Sequence, residues 1–171
     1  SEARLTSLLG IARGDLPVRH WAYLGRTFFA QKTDVGLRSW TGSMFEYLMP
    51  LLVMPSYEST LLDRTYESVV QRQIEYGRQR RVPWGISESG YNLIDQHRVY
   101  QYRAFGVPGL GLKRGLGDDL VIAPYATALA LMLAPEEACH NLERLAGEGQ
   151  LAEYGFYEAI DYTPGRLPPG A

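Results

Sequence analysis

The sequence has almost no cysteine and no long apolar run, and both absences narrow the class of protein. Cys139 is the single cysteine among 171 residues, which excludes an internal disulfide framework and a zinc site made of several cysteines. The most apolar stretch, residues 48–54, contains Pro50 and is far shorter than the ~18 residues that a membrane-spanning helix needs. Charge of neither sign is in large excess: the net charge is −2, so the composition gives no indication of a nucleic-acid partner.

What the sequence has in quantity is aromatic side chains on an otherwise ordinary globular composition. Twelve tyrosines and three tryptophans favour a surface that stacks against something planar. The length suits one domain with a core, and we expect that domain to span residues 1–164. Residues 165–171, rich in proline and glycine, predict a linker or a disordered tail. The opening Ser1-Glu2-Ala3-Arg4 has no signal-peptide pattern and predicts a chain cut from inside a longer one.

Apolar residues recur mostly at helical spacing, so the sequence predicts a mainly α fold with about seven helical segments. The clearest helices are predicted over residues 61–81, 121–133 and 135–147. An earlier helix is predicted to carry Trp21, Leu24 and Phe28 on one face, and a polar loop is predicted over residues 31–38. Alternating strand patterns are scarce. We therefore expect one short hairpin in residues 91–112 and no sheet of about four or more strands.

Two pairs of polar residues are typical of helix ends. Ser43, followed three residues later by Glu46, matches a capping box at the start of a helix. Asp118 and Asp119 are predicted to be acidic residues in the first turn of a helix rather than a metal-binding pair.

The stretch from Val82 to Tyr91 holds a lone carboxylate, Glu88, among small and aromatic residues. Gly85 allows a tight turn, and Trp84 and Tyr91 offer flat apolar faces with polar edges. An aromatic face beside a carboxylate is the combination that a sugar ring needs. The alternative is a loop between helices in which Trp84 fills the core and Glu88 faces solvent.

Similar pairs of a carboxylate and an aromatic residue recur at two other helix junctions. They are Trp40 with Glu46, and Phe156 with Glu158 and Asp161. If the helices pair into a toroid, these loops can converge at one end of it. That is the geometry of an (α/α)-barrel glycosidase, in which loops on a rigid scaffold form the site.

Other chemistries find little support in the sequence. No Gly-x-Ser-x-Gly elbow of a serine hydrolase is present. The glycine-rich residues 105–115 follow no apolar strand, which argues against a dinucleotide loop. The three histidines are scattered without metal-ligand spacing: His20, His97 and His140. We expect no metal or cofactor, and carboxylates among aromatic faces point to glycoside chemistry.

Five segments of the chain are long and distinctive. They are Ser-Trp-Thr-Gly-Ser-Met-Phe-Glu-Tyr-Leu-Met-Pro (39–50), Val-Pro-Trp-Gly-Ile-Ser-Glu-Ser-Gly-Tyr (82–91), Phe-Gly-Val-Pro-Gly-Leu-Gly-Leu-Lys-Arg-Gly-Leu (105–116), Asp-Leu-Val-Ile-Ala-Pro-Tyr-Ala (119–126) and Tyr-Gly-Phe-Tyr-Glu-Ala-Ile-Asp-Tyr-Thr-Pro (154–164). Together they resemble the central glucoamylase-like domain of the cyclic β-1,2-glucan synthases. The resemblance runs over nearly the whole chain, from Ser1 to about Pro164.

The resemblance implies a fold, a reaction and a setting. The fold is part of an (α/α)6 barrel, and the reaction is a transglycosylation that closes linear β-1,2-glucan into a ring. The parent is a very large bacterial inner-membrane protein with a glycosyltransferase region and a C-terminal phosphorylase-like region, and this segment is a soluble part on its cytoplasmic side. The partners are then linear β-1,2-glucan and the remaining domains. Because 171 residues supply too few helices for such a barrel, we expect the isolated fragment to be inactive.

Ring closure of this kind retains the anomeric configuration, which needs a carboxylate nucleophile and an acid/base partner. Glu88 is the first candidate, and we favour it as the nucleophile. Glu2 matches the Ser-Glu-Ala-Arg opening of the family's domain, and the resemblance favours it as the partner. Glu46 and Glu158 compete for that role, although Glu2 and Glu46 also suit the start of a helix.

The remaining candidate residues would bind substrate. The sugar platforms are Trp40, Trp84, Tyr91, Tyr125 and Tyr157, the hydroxyl binders are Arg114 and Asp161, and Glu46 and Glu158 also belong to this set. Two other functions stay open. One is a non-catalytic segment that binds glucan, and the other is an endo-β-1,2-glucanase that hydrolyses the chain.

Overall fold

The computed structural model of the chain describes residues 2–31 and 34–167. Six α-helices lie in this part: α1 (Glu2–Ala12), α2 (Arg19–Tyr23), α3 (Met44–Leu48), α4 (Leu61–Arg80), α5 (Pro124–Ala130) and α6 (Pro135–Gly147). The strands are β1 (Phe28–Gln31), β2 (Asp34–Leu37), β3 (Glu88–Ile94), β4 (Tyr100–Ala104), β5 (Val121–Ile122), β6 (Leu151–Ala152), β7 (Gly155–Phe156) and β8 (Ile160–Asp161). Two 3₁₀ turns span Met49–Leu52 and Pro164–Arg166. The three longest elements are the helices α4, α6 and α1, with 20, 13 and 11 residues, and no described strand exceeds seven residues.

The described strands pair only two by two, always antiparallel: β1 with β2, β3 with β4, β5 with β8, and β6 with β7. In this part of the chain the prediction that no sheet has four or more strands is therefore confirmed. The predicted hairpin is present as β3–β4, although it already begins at Glu88. The expectation of a single hairpin is wrong, because β1–β2 and β6–β7 are hairpins too. The turn of β3–β4 is closed by Asp95, whose Oδ1 accepts hydrogen bonds from the backbone N–H groups of His97 and Val99.

Helix α4 lies at the centre of the core. It begins after Thr60, whose hydroxyl accepts a hydrogen bond from the backbone N–H of Asp63, and it ends at Arg81, which has a left-handed φ of 60°. The helix predicted over residues 61–81 is thus confirmed. Its fully buried face packs against α3 and β2, and no carboxylate lies on it.

The second predicted helix is shorter than its apolar spacing suggested, and the loop predicted after it is wrong. Helix α2 is only five residues long, Gly25 has a left-handed φ of 62°, and Phe28 begins β1. Half of the expected loop instead forms β2, and Gln31 is the last residue of β1. Phe29 accounts for this pairing because it is buried against β2, where a Cβ on Gly36 would lie 2.8 Å from its ring.

The helix predicted over residues 121–133 is present only in its middle part. Val121 and Ile122 form β5, which pairs with β8 and is completely buried. Helix α5 begins at Pro124, whose fixed φ and missing N–H suit the first turn of a helix.

The prediction that Asp118 and Asp119 lie in a helix first turn is therefore wrong. Asp119 instead forms an ion pair with Arg166, at 2.6 Å between Oδ1 and Nη1, and another with Arg103, at 2.9 Å. Arg166 also binds Asp161, with 2.6 Å between Nε and Oδ2. Through these pairs Arg166 connects the C-terminal segment to β8 and to Asp119, and Asp119 in turn binds β4.

The segment predicted as a linker from residue 165 onward is described only as far as Leu167, and residues 168–171 lie outside the described part. In the described part no helix is both long and apolar enough to cross a bilayer.

Candidate functional site

Glu88 stands at the first position of β3, on a segment that the core holds in place. Gln73 of α4 binds both backbone groups of Ile86: its Oε1 accepts from the N–H, and its Nε2 donates to the carbonyl, each at 2.8 Å. The first residues of α3 continue this attachment, because Met44 N–H donates to the Ile86 carbonyl and Phe45 N–H donates to Ser87 Oγ, both at 3.0 Å. The backbone leading into Glu88 is therefore fixed by α3 and α4.

Two tyrosine hydroxyls lie beside Glu88. The Tyr102 hydroxyl is 3.5 Å from Glu88 Oε2 and can donate a long hydrogen bond to it. The Tyr125 hydroxyl, from the first turn of α5, is 2.7 Å from Ser87 Oγ and 3.0 Å from the backbone carbonyl of Glu88. Burial first, and then the nearby Tyr102 and Glu88, raise the pKa of Tyr125 to about 12, so this hydroxyl stays protonated and able to donate.

Glu158 is a second carboxylate in the same neighbourhood. Its Oε1 accepts a 2.8 Å hydrogen bond from the backbone N–H of Gly90. Glycine is suited to this position because a Cβ there would lie 3.3 Å from Glu158 Oε2. Burial raises the pKa of Tyr102, and the charges of both Glu88 and Glu158 raise it further. The charges of both carboxylates therefore act on the Tyr102 hydroxyl, and Glu88 Oε2 lies within hydrogen-bond reach of it.

An open groove runs along this side of β3. One part of it, about 480 Å³, is lined by Tyr91, Asn92, Tyr100, Tyr157, Glu158 and Asp161, among others. A neighbouring hollow of about 370 Å³ shares Tyr157 and Glu158 and continues past Tyr125 and Phe156. The structure therefore brings five residues that the sequence singled out into the lining of this groove: Tyr91, Tyr125, Tyr157, Glu158 and Asp161. Glu88 adjoins that lining, because its backbone carbonyl accepts a hydrogen bond from the Tyr125 hydroxyl.

Tyr91 and Asp161 are held rigidly in that groove. The Tyr91 ring meets the edge of Phe105, with centroids 5.3 Å apart, and the Arg166 guanidinium lies 4.9 Å from its centre. Burial would raise the pKa of Asp161, but hydrogen bonds from Arg166, Thr163 and the backbone of Asn92 outweigh that effect and lower it. Asp161 is ionised, and Arg166 already occupies much of its hydrogen-bonding capacity.

Trp84 is not in the groove, because it is 6% exposed and lies in the core. Its backbone N–H donates to Asn141 Oδ1 at 3.0 Å, and its carbonyl accepts from Asn141 Nδ2 and the Thr127 hydroxyl. Gly85, with a φ of 124°, makes the turn that brings the chain from this buried position toward Glu88. Trp84 offers no open face to a sugar, whereas Glu88 is half-buried and adjoins the groove residue Tyr125 through its backbone carbonyl.

Glu46 is committed to the start of α3. The capping box with Ser43 is confirmed, since each side chain binds the other residue's backbone N–H. Glu46 Oε2 also accepts from Ser39 Oγ at 2.8 Å and from the backbone and hydroxyl of Thr41 at 2.9 and 2.5 Å. Burial alone would raise the pKa of Glu46, but these hydrogen bonds outweigh it and hold the pKa below its ordinary value.

The other predicted site residues lie outside the groove lining or outside the described side chains. Trp40 is 65% exposed on the loop before α3, and its carbonyl accepts hydrogen bonds from the backbone N–H groups of Leu112 and Lys113. Arg114 is exposed on the glycine-rich loop of residues 105–115. Glu2 is the first residue of α1, but its side chain lies outside the part of the chain that the structure describes.

Tyr102 is the residue of this site that sequence reasoning missed. It stands in the Tyr100–Arg103 run, and β3–β4 pairing sets it opposite Gly90. The register of the hairpin was the missing information, because the sequence does not fix which residue of β4 faces Glu88. In residues 2–31 and 34–167, no three or more His, Cys, Asp or Glu side chains are grouped so that they could hold a metal ion.

Comparisons with known proteins give one family and several relatives. A family model described as "Putative glucoamylase" matches residues 1–167. A cyclic beta-(1,2)-glucan synthase, NdvB of Rhizobium meliloti (strain 1021), is 54% identical over 170 residues. That match covers 99% of this chain but only 6% of the synthase. The resemblance to cyclic β-1,2-glucan synthases drawn from the sequence is therefore confirmed.

Two solved structures share the fold at low sequence identity. A putative glucoamylase from Bacteroides fragilis NCTC 9343 gives a TM-score of 0.58 at 20% identity and covers 83% of this chain. A putative glucoamylase from Bacteroides caccae ATCC 43185 gives 0.55 at 17% identity over the same share. The chain spans 35% and 36% of the length of these two structures.

Proposed function

Because the chain belongs to the family described as "Putative glucoamylase", we propose that it takes part in closing linear β-1,2-glucan into a ring. Similarity to the cyclic beta-(1,2)-glucan synthase NdvB supports this choice of substrate and reaction. The observation that carries the proposal is the groove in which Glu158 lies among tyrosine rings, with Glu88 beside it through the hydrogen bond from the Tyr125 hydroxyl to its backbone carbonyl.

The setting is part of the same proposal. The chain works as one segment of a longer synthase, in which further helices complete an (α/α)6 barrel around the groove. Support comes from the lengths: the match covers 6% of NdvB and about a third of each solved glucoamylase-like structure. The synthase is a bacterial inner-membrane protein, and this segment lies on its cytoplasmic side. The 171 residues alone should therefore form little or no cyclic glucan.

The chemistry is a double displacement with retention. Glu88 attacks the anomeric carbon, and a second carboxylate protonates the leaving oxygen and later deprotonates the acceptor. Glu2 is the partner that the family resemblance favours. Glu158, which lines the groove and accepts a hydrogen bond from the backbone N–H of Gly90, is the alternative among the described carboxylates. Tyr102 can donate to Glu88 Oε2 and so orient the carboxylate, while Tyr125 steadies the backbone of Ser87 and Glu88.

The acceptor decides between ring formation and hydrolysis. In the second displacement the terminal hydroxyl of the same glucan must reach the glycosyl–enzyme intermediate before water does. Tyr91, Tyr100 and Tyr157 line the groove, and stacked sugar units along them would hold the glucan end close and displace water. Trp40 and Arg114, on exposed loops, are candidates for sugar contacts farther along the chain.

The product assay tests the function. The full-length synthase is incubated with linear β-1,2-glucan, its products are separated, and their masses are measured by mass spectrometry. Rings, each lighter by one water than the linear chain of equal length, are the expected product. Shortened linear chains would support the endo-glucanase alternative, and unchanged substrate with retained binding would support a non-catalytic module. Glu153→Gln, on the exposed β6–β7 turn, serves as the matched control and should give wild-type product.

A further inference from the structure

A second cleft, of about 200 Å³, lies where α1, α2, β2, α3 and α4 meet, and neither Glu88 nor Glu158 lines it. Three arginines, Arg4, Arg26 and Arg38, contribute to its walls, against one carboxylate, Glu46. The described side chains of the lining therefore carry an excess of two positive charges. The whole chain has a net charge of −2, so this positive cleft is a local feature rather than a consequence of composition.

Arg4 is the most informative of the three arginines. Its guanidinium is largely buried, lies 5.5 Å from the centre of the Tyr66 ring, and donates a long 3.5 Å hydrogen bond to the Tyr47 carbonyl. Its Nε is buried and has no hydrogen-bond partner among the described residues. Burial lowers the pKa of Arg4, and in the described part of the chain no carboxylate forms an ion pair with it. A buried cation with an unused donor is costly unless an anion joins it.

Glu46 does not supply that anion. Its Oε2 receives hydrogen bonds from Ser39, Thr41, Gly42 and Ser43, which already stabilise the negative charge where it stands. The other two arginines keep the cleft positive. Arg26 is fixed by a 2.7 Å hydrogen bond to the Trp21 carbonyl and by stacking 4.7 Å from the Trp21 ring. Arg38 is exposed at the opening, and its charge acts on the Tyr47 hydroxyl.

We propose that this cleft binds a phosphate group, either free or carried as a monoester by a small molecule. A phosphate monoester carries a charge of about −1.5 to −2 at neutral pH, which matches the excess charge of the cleft better than a carboxylate does. Guanidinium groups bind phosphate oxygens with paired N–H donors, and three of them line this cleft. The Trp21 ring provides a flat wall against which the organic part of a monoester can lie. In the described part of the chain this cleft shares no lining residue with the two hollows of the glucan groove.

Binding is measured by isothermal titration of the chain with inorganic phosphate and, separately, with glucose 6-phosphate. Acetate at the same ionic strength is the carboxylate control, because added salt screens such contacts. We expect saturable binding at one site per chain. Arg38→Gln and Arg4→Gln should each weaken binding at least about tenfold, since each removes charged hydrogen bonds. Arg13→Gln, which alters an exposed arginine paired with Asp15 near the end of α1, should leave the dissociation constant unchanged.

The two phosphate probes separate the two sources of the ligand. Tighter binding of glucose 6-phosphate supports a monoester, and equal or tighter binding of inorganic phosphate supports the free anion. Circular dichroism shows whether each variant is folded. Because Arg38 is exposed, Arg38→Gln should fold and still test the cleft even if Arg4→Gln is unfolded. The proposal would be overturned if neither phosphate probe binds saturably, or if acetate binds equally well. An unchanged dissociation constant in Arg38→Gln would overturn it too.

Discussion

Two loops of this chain have nearly the same composition and opposite structures. The loop over residues 39–46 and the loop over residues 84–91 each offer a tryptophan and a glutamate to a possible sugar site. In the first, Trp40 is 65% exposed and Glu46 is held by the cap of α3. In the second, Trp84 is 6% exposed in the core, and Glu88 is half-buried beside Tyr125, which lines the groove.

The composition of a segment is therefore enough to suggest a candidate sugar site. Whether its carboxylate is available to a substrate depends on burial and hydrogen bonding in the folded chain. Glu46 Oε2 accepts from both side-chain and backbone donors of one loop, so its charge is used to hold that loop. Glu88 is half-buried at the start of β3, where the Tyr102 hydroxyl can donate to its Oε2 and Tyr125 lies beside its backbone. Each loop therefore uses one of its two characteristic residues for structure and presents the other at the surface.

Trp84→Ala should have the largest effect on stability. Removing a buried tryptophan leaves a cavity under the turn that Asn141 and Thr127 hold, and it should cost about 3–5 kcal/mol in the free energy of unfolding. Urea unfolding followed by circular dichroism measures this change. The matched substitution Tyr57→Ala, at a residue that is 67% exposed, should change it by less than about 0.5 kcal/mol. A small effect of Trp84→Ala would mean that this ring is not part of the core.

Glu46→Gln should have an intermediate effect, because an amide keeps the shape of the cap but loses the charge. We expect a loss of about 1–2 kcal/mol in the free energy of unfolding. Glu143→Gln on α6 is the control, and no change is expected there. If Glu46→Gln unfolds at the same urea concentration as wild type, the cap contributes less than its geometry indicates.

The stability difference between wild type and Glu46→Gln should also depend on pH. The pKa of Glu46 is lower in the folded chain than in the unfolded chain, so its ionised form is stabilised by folding. This contribution is fully present above the unfolded pKa and is lost as the pH falls through the folded pKa. Unfolding of both proteins between neutral pH and pH ~3 should show the two curves converging in acid. Curves that stay parallel would contradict the direction of the pKa change.

Trp40→Ala should have the smallest effect and should act on binding alone. Because the ring is exposed, the free energy of unfolding should hardly change, while affinity for linear β-1,2-glucan falls about fivefold through loss of a stacking face of ~1 kcal/mol. Equilibrium binding to the full-length synthase gives this number. Tyr154→Ala, at a tyrosine that is 95% exposed and lines neither described hollow of the groove, is the control. Unchanged affinity in Trp40→Ala would remove Trp40 from the set of sugar platforms.

The sequence predicted the parts of this chain whose signals are local. The extent of α4, the capping box of Ser43 and Glu46, and the β3–β4 hairpin all follow from spacing, caps and turn residues near one another. Phe28 and Val121 were both assigned to helices by apolar spacing, but both lie in strands. Val121 pairs with Asp161, far along the chain, whereas Phe28 pairs with Leu37 of the next strand.

The candidate site was predictable only as a set of residues. The sequence named Glu88, Tyr125 and Glu158. Their positions relative to one another depend on contacts with Ser87 and Gly90 and on the register of β4. Trp84 and Trp40 could not be told apart, because burial depends on what packs above a loop. Tyr102 was missed for the same reason: only cross-strand pairing brings its hydroxyl to Glu88.

We propose that Glu88, and not Glu46, performs the chemistry of ring closure. The most direct test compares Glu88→Gln with Glu46→Gln in the full-length synthase, by rate of ring formation from linear β-1,2-glucan and by melting temperature. We expect Glu88→Gln to lower the rate at least about a thousandfold with an unchanged melting temperature, since losing the nucleophile removes roughly 4 kcal/mol of transition-state stabilisation. Glu46→Gln should melt earlier but form rings at a rate within about tenfold of wild type. A fully active Glu88→Gln, together with a folded but inactive Glu46→Gln, would contradict the account and transfer the catalytic role to Glu46.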